Sequence, residues 1–303
     1  MANPTYSILV PVYNGEALLP RCLDSILADT GGAPAWEIVC VDDASADATP
    51  ARLGEYAARD PRIRVVRHET NRGLGEARNT ALAHALGSWV AWVDADDAVL
   101  PGWAAAIRRE TRCDEVDAFC FGARMWRGER FWEMRYAPDP QTVPAAEFLT
   151  NVIRDVGSST WLWNKVFRKS LFEGLRFSGR CQEDFHLTPA IFSRARKVRA
   201  VPDALYDYFR PAGSLSRHGD QTGSSEGLLR CLKGWAAAPG PLPADFDSAW
   251  KEGCALRAAD YLRNAGRQAE LSRFLRRNVF RVIADPRQSW RTRAKCLLAC
   301  AGL

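Results

Sequence analysis

The first hundred residues alternate short apolar runs with amphipathic stretches. Tyr6-Ser7-Ile8-Leu9-Val10-Pro11-Val12 is β-rich and stops at Tyr13-Asn14-Gly15, a turn signal. Pro11 falls at the end of that run, where its missing N–H costs least. Glu16 to Ala28 puts Leu19, Cys22, Leu23, Ile26 and Leu27 on one helical face. Glu37 to Val41 predicts a second strand, closing in Asp42-Asp43-Ala44-Ser45, and a polar helix follows over 48–59. Ile63 to Val66 predicts a third strand, Asn71-Arg72-Gly73-Leu74-Gly75 a loop, and Glu76 to Leu86 a helix. Trp89-Val90-Ala91-Trp92-Val93 predicts a fourth, buried strand that runs straight into Asp94-Ala95-Asp96-Asp97. Strands alternating with helices this regularly indicate a parallel sheet with helices on its faces. The polar clusters follow strands, so they gather at the carboxyl edge of that sheet, where such sheets bind ligands.

After Pro101 the alternation breaks. Val116 to Phe121 predicts a strand, Pro144 to Arg154 a helix, and Trp161 to Phe167 is dense in aromatics. Arg180-Cys181-Gln182-Glu183-Asp184 reads as a polar loop leading into a helix from Phe185 to Ser193. Val198 to Val201 and Leu205 to Phe209 read as two short strands. From Ser224 the pattern is helical, with a break at Pro239-Gly240-Pro241-Leu242-Pro243. Trp250, Cys254, Ala258 and Leu262 form one stripe there; Leu271, Phe274, Leu275, Val279 and Val282 form another. This divides the chain into an α/β unit over 1–215, with halves 1–110 and 111–215, and a helical region over 216–303.

Composition narrows the picture. A chain of 303 residues, 47% hydrophobic and 25% charged, is an ordinary folded protein with room for a full core. No apolar run approaches the length that spans a bilayer. Met1-Ala2-Asn3-Pro4 lacks a basic segment followed by an apolar one, so no secretory signal is expected. Nine scattered cysteines, an odd count without a Cys-x-x-Cys pair, fit reduced thiols in a cytoplasmic setting. A net charge of +5 suits an anionic substrate or a membrane surface without requiring either, and no nucleic-acid partner is expected.

The carboxylates bring in chemistry. Along an extended strand Asp94 and Asp96 leave on the same side and repel unless a cation sits between them. Hard oxygen ligands at that spacing suit Mg²⁺ or Mn²⁺ completed by waters and a phosphate. A solvated acidic turn is the alternative.

Four blocks carry a resemblance: Ser7 to Asn14, Val41 to Thr49, Asn71 to Asn79, and Val93 to Asp97. Their order and spacing resemble the family 2 glycosyltransferases. Further on, Trp163-Asn164-Lys165-Val166-Phe167, Glu183-Asp184 and Tyr206-Asp207-Tyr208-Phe209-Arg210 resemble that family's acceptor-side motifs. The resemblance implies a GT-A fold: a Rossmann-like, mostly parallel sheet with flanking helices, here with a C-terminal helical region added. It also implies a nucleotide-sugar donor (a UDP-hexose in this reading), a divalent metal, and inversion at the anomeric carbon. The acceptor implied is a glycan or lipid-linked saccharide of the cell surface. A nucleotide-sugar-binding scaffold without turnover is the rival reading.

Residue by residue, the resemblance gives Pro11, Val12, Tyr13 and Asn14 to the base pocket, with the Tyr13 ring on the base. Asp43, or its neighbour Asp42, corresponds to the carboxylate that accepts the uracil N–H; a cap on the following helix is the plainer role. Arg78 faces the nucleotide near a helix N-terminus. Asp94, with Ala95 beside it, corresponds to the ribose contact, Asp96 to the metal ligand, and Asp97 to a supporting group. Glu183 and Asp184 correspond to the catalytic pair, with Asp184 the general base; acidic residues also favour a helix start for purely structural reasons. Trp161, Trp163 and Tyr208 are candidates for an acceptor platform or for plain core. Lys165 and Arg210 are candidates for the diphosphate or an anionic acceptor, and His218 for an extra ligand.

The last stretch, Trp290 to Leu303, sets Trp290, Ala294, Leu297, Leu298 and Ala301 on one helical face among Arg287, Arg291, Arg293 and Lys295. That pattern fits a helix lying on the inner leaflet of the membrane, or one packed on the core.

Overall fold

The structure, a computed structural model, describes residues 4–33, 35–136, 138–155, 159–179, 181–209, 221–265 and 268–301. The side chains of 221–224 are left aside, and Arg210 and His218 lie outside the described residues.

The expected alternation is present as β1 (Tyr6–Val12), α1 (Leu19–Thr30), β2 (Trp36–Asp42), α2 (Thr49–Arg59), β3 (Ile63–Arg67), α3 (Leu74–His84) and β4 (Trp89–Trp92). These four strands are parallel, in the order β3-β2-β1-β4. β1, β2 and β4 are buried along their whole length because they are covered on both sides, whereas β3, at the sheet edge, leaves Val65 and Arg67 exposed. Ile8, Val10, Ile38 and Cys40 enter one core, while Leu9, Val39, Val41 and Trp92 enter the other.

Beyond β4 the sheet becomes mixed. β5 (Ala98–Val99) and α4 (Trp103–Glu110) follow, then β6 (Val116–Arg127), β7 (Arg130–Met134), β8 (Gln141–Pro144) and α5 (Ala145–Ile153). β9 (Lys165–Arg168) runs antiparallel between β4 and β6, joining the halves into one sheet. A 3-10 turn (Lys169–Phe172), α6 (Glu183–Phe192) and β10 (Lys197–Tyr208) complete this part. The two short strands expected over 198–209 are one strand. Its register against β6 shifts between Ala200 and Ala204 and again before Asp207, because Pro202 cannot donate to the ladder. Gly122 of β6 permits that bulge: a Cβ there would lie 2.8 Å from Pro202 O and 2.8 Å from Met134 O.

Among the described residues four helices follow: α7 (Gln221–Lys233), α8 (Phe246–Ala265), α9 (Ala269–Ala284) and α10 (Trp290–Ala301). Cys231 of α7 and Trp250 and Cys254 of α8 pack into the core under the sheet, with Trp250 stacked 4.3 Å from Phe185. Leu271, Leu275, Val282 and Cys296 form a separate small core with α8. All nine cysteines are free, six of them buried.

Candidate active site

β1 and β2 end side by side, with Val12 opposite Asp42. The loops that follow are laced together. The Asn14 N–H donates to Ser45 Oγ (2.8 Å), the Ala46 N–H to Asn14 Oδ1 (2.9 Å), and the Gly15 N–H to Thr49 Oγ1 (2.8 Å). Asn14 and Ala44 sit at φ 50 and 61, a region costly for residues with a side chain, and the lacing holds them there. Tyr13 is left open to solvent at the mouth.

The neighbouring carboxylates differ sharply. Asp43 accepts from the Arg72 N–H (2.9 Å) and the Gly73 N–H (2.7 Å) and pairs with His68 Nδ1 (2.7 Å). It is committed to fixing the 71–73 loop, which opens α3. Asp42 is buried; its Oδ1 accepts from the Ser45 N–H (2.9 Å). Its Oδ2 has no hydrogen bond, although Arg67 Nε lies 3.1 Å away.

Arg78, in the second turn of α3, is the hinge pin of the site and is only 4% exposed. Nη1 pairs with Glu183 Oε1, and Nη2 lies 3.6 Å from Asp94 Oδ1. Its guanidinium sits over the Trp92 and Phe177 rings at 5.6 and 5.8 Å. Asn79 beside it exchanges two hydrogen bonds with the Phe177 backbone, each 2.9 Å, and a Cβ on Gly75 would lie 2.6 Å from Gly179 O. One turn of α3 thereby locks the segment that leads into α6.

The acidic run is a turn, not a strand continuation. β4 ends at Trp92, and the Asp97 N–H bonds back to Asp94 O at 3.0 Å. The two aspartates are therefore brought together by the turn rather than by strand alternation. Asp94, Ala95 and Asp96 are partly open; Asp97 is fully buried, accepting from the Tyr206 hydroxyl (2.9 Å) and the Phe209 N–H (2.8 Å). Burial and then the Asp94 charge push the Asp96 carboxyl up to about 6. Asp97 is pushed well above the usual carboxylate range, first by burial and then by Asp96 and Asp94. Asp94 is raised as well, by burial, with Arg78 opposing and Asp184 adding to it.

Glu183 and Asp184 stand in the first turn of α6, which begins two residues earlier than its apolar pattern suggests. Gln182 caps that turn at φ 57. Glu183 is buried, and burial lifts its carboxyl to about 7 against the pull of Arg78. Asp184 is partly open; one oxygen accepts from the Phe185 N–H at 2.6 Å, and its charge is felt at Asp94 and Arg78. Arg78 thus ties the acidic turn after β4 to the start of α6, and Asp184 is close enough for its charge to reach Asp94.

The aromatic platform is only partly available. Trp163 is buried in a stack, 5.2 Å from Trp161, 5.1 Å from Tyr208 and 4.8 Å from Tyr206. Trp161 and Tyr208 keep part of their surface open. Lys165 does not reach outward. It is buried, its Nζ donates to Ser159 O, Trp161 O and Asn164 Oδ1 at 2.7 Å each, and burial lowers it to about 8. Two further contributors appear: Tyr206, part of a resembling block but given no role of its own, and Arg21, for which the sequence held no signal. Tyr206 accepts from the Asp94 N–H (3.0 Å) while donating to Asp97, and Arg21 reaches from α1 to Asp96 O with its guanidinium 3.7 Å over Phe209.

A cleft of about 650 Å³ lies on the other rim, by Gly87 and Ser88 ahead of β4. Its cations are engaged: Arg168 with Asp117, Lys169 with Ala85 O, and Arg176 with Glu76.

A parallel α/β sheet with carboxylates on its carboxyl rim and an antiparallel extension is the architecture of the GT-A glycosyltransferases. The chain belongs to glycosyl transferase family 2, whose model matches residues 7–176. It is 32% identical to the succinoglycan biosynthesis protein ExoO of Rhizobium meliloti over 225 residues, 71% of this chain and 63% of ExoO. It is 30% identical to the uncharacterized glycosyltransferase EpsJ of Bacillus subtilis over 220 residues, 70% of this chain and 63% of EpsJ. The chain thus spans less than two thirds of the length of these relatives. Among solved structures it resembles S. aureus TarS 1–349 in complex with UDP (TM-score 0.65, 21% identity, 98% of this chain and 87% of that one). It also resembles the mannosyltransferase PcManGT of Pyrobaculum calidifontis in complex with GDP-Man and Mn²⁺ (TM-score 0.59, 22% identity, 99% and 87%).

Proposed function

We propose that this chain is an inverting hexosyltransferase. It moves a hexose from a nucleotide-sugar, UDP-linked in our reading, to a hydroxyl of a glycan or lipid-linked acceptor. The observation that carries the reading is Arg78 spanning Asp94 and Glu183, which brings the crowded acidic turn and the α6 start, with its part-open Asp184, to one guanidinium. The solved GT-A neighbours hold UDP or GDP-Man with Mn²⁺, and ExoO is named for polysaccharide synthesis, which supports the donor and acceptor classes.

Tyr13 and Asn14 with the Asp42 carboxylate form the base side, and Asp94 takes the ribose. Asp96 with Asp94 offers hard oxygens to Mg²⁺ or Mn²⁺. Among the described residues no cluster of three such ligands is present, so the cation of this reading would be held by one or two carboxylates and completed by phosphate and water. When bound, such a cation neutralises charge on the departing diphosphate. Asp184 removes the proton from the attacking acceptor hydroxyl: one oxygen is anchored by the Phe185 N–H, and the other has no hydrogen bond among the described residues. A single displacement from the face opposite the diphosphate inverts the centre. Glu183 acts as a positioning residue, pinning the α6 start through Arg78.

The test is a panel of nucleotide-sugars with Mn²⁺, read by thermal shift and nucleotide release. UDP-hexoses are expected to stabilise most. Asp184→Asn should keep UDP affinity within a few-fold and lose about 10³-fold in transfer. Asp96→Ala should weaken metal-dependent UDP binding itself. Equal loss of UDP binding in both variants overturns the assignment of roles.

A further inference from the structure

The C-terminal helix α10 faces outward with the side that is usually hidden. It packs on α8 and α9 through Cys296, Ala299 and Cys300. The opposite face leaves Trp290 74%, Leu297 49% and Leu298 43% exposed, and neighbouring α9 adds Phe280 at 55%. Residues 269–301 hold eight Arg or Lys and two acidic residues, whereas the whole chain is only +5. The rest of the molecule is therefore slightly acidic, and the positive charge is concentrated in the segment that carries the apolar face. Arg273, Arg276 and Arg277 on α9 are exposed and make no ion pair among the described residues. Arg291 lies over the Trp290 ring at 5.6 Å, and Arg281 over Phe280 at 5.1 Å.

We infer that this face docks on an anionic lipid bilayer. Exposed Trp, Phe and Leu accompanied by arginines on the same two helices is what an interfacial surface needs: apolar depth for the acyl boundary and cations for the headgroups. A second copy of this chain is a poor occupant, because a two-fold interface would set this basic ring against itself. No helix among the described residues is long and apolar enough to cross a membrane.

The test is vesicle flotation of the full chain, which does not depend on the catalytic reading. Vesicles of phosphatidylcholine mixed with phosphatidylglycerol should bind it, pure phosphatidylcholine should not, and added salt should release it. Arg276→Gln with Arg277→Gln should lose about ten- to thirtyfold in vesicle affinity. Trp290→Ser with Leu297→Ser should lose on the order of tenfold or more. All four side chains are exposed, so each double variant should match wild type in thermal stability. Failure of the wild type to bind anionic vesicles overturns the inference, as do double variants that bind like wild type. Sedimentation showing a dimer that Trp290→Ser with Leu297→Ser disperses, without vesicle binding, overturns it in favour of self-association.

Discussion

The two ends of the catalytic rim are built on opposite electrostatic terms. On the base side Asp43 has a donor for each oxygen, and the 13–16 and 44–49 loops are laced by backbone N–H groups donating to each other's side chains. On the other side Asp94, Asp96, Asp97 and Glu183 crowd together with Arg78 and Arg21 as their cations, and each of the four carboxyls is raised. Satisfied polar groups rigidify; under-compensated ones hold free energy until a ligand supplies what is missing. The first region therefore reads as a preorganised frame and the second as the place where charge is expected to arrive.

Breaking the link between the two halves should have the largest effect. Arg78→Met removes the counter-charge of a buried Glu183 and is expected to cost about 3–5 kcal/mol in urea unfolding. Against the lift of burial, Arg78 holds the Glu183 carboxyl down at about 7, so in the variant it rises further, takes up a proton, and the loss should shrink as pH falls toward 7. Adding Glu183→Gln should recover much of the stability, while transfer stays lost. A double variant no more stable than Arg78→Met would show that the ion pair is not what joins the halves.

Breaking the frame itself comes next. Asp43→Ala orphans the Arg72 and Gly73 N–H groups and the His68 ring, at an expected cost of about 2–4 kcal/mol by the same unfolding measurement. The 71–73 loop should then exchange its amide hydrogens faster, whereas Asp97 and its Tyr206 partner keep their protection. Loss confined to UDP affinity, with stability untouched, would move Asp43 from the frame to the ligand.

The same contrast explains what could be read from the chain in advance. β1, β2 and β4 were legible because each is a near-continuous apolar run buried on both faces, and carboxylates close β2 and β4. β9 was not: Lys165 and Arg168 bound a four-residue strand that exists because β4 and β6 flank it. Nor does spacing reveal that Arg78 meets Glu183, 105 residues away, or that Tyr206 meets Asp97, 109 away. Lys165 looked like an exposed cation in an aromatic motif; three carbonyl-type acceptors make it a buried strut instead. Pairing across the sheet is a property of topology, and local pattern carries none of it.

The smallest expected effect is the sharpest probe of the contrast, because its sign is unusual. The Asp96 carboxyl rises from 3.8 to about 6 on folding, so its charged form is penalised in the native chain relative to the unfolded one. That penalty is fully present above pH 6 and is relieved as pH falls toward the unfolded value near 4. Asp96→Asn should therefore stabilise the ligand-free protein at neutral pH by on the order of 1–2 kcal/mol, after discounting for partial exposure. The gain should fade in urea unfolding at a pH near 4. In the wild type, the affinity for UDP with Mn²⁺ should drop about tenfold per unit below pH 6, where protons compete for the same oxygens. If Asp96→Asn is instead less stable than wild type without ligand, the turn after β4 is not strained by its own charge. It would then be a second frame rather than a place held open for a cation.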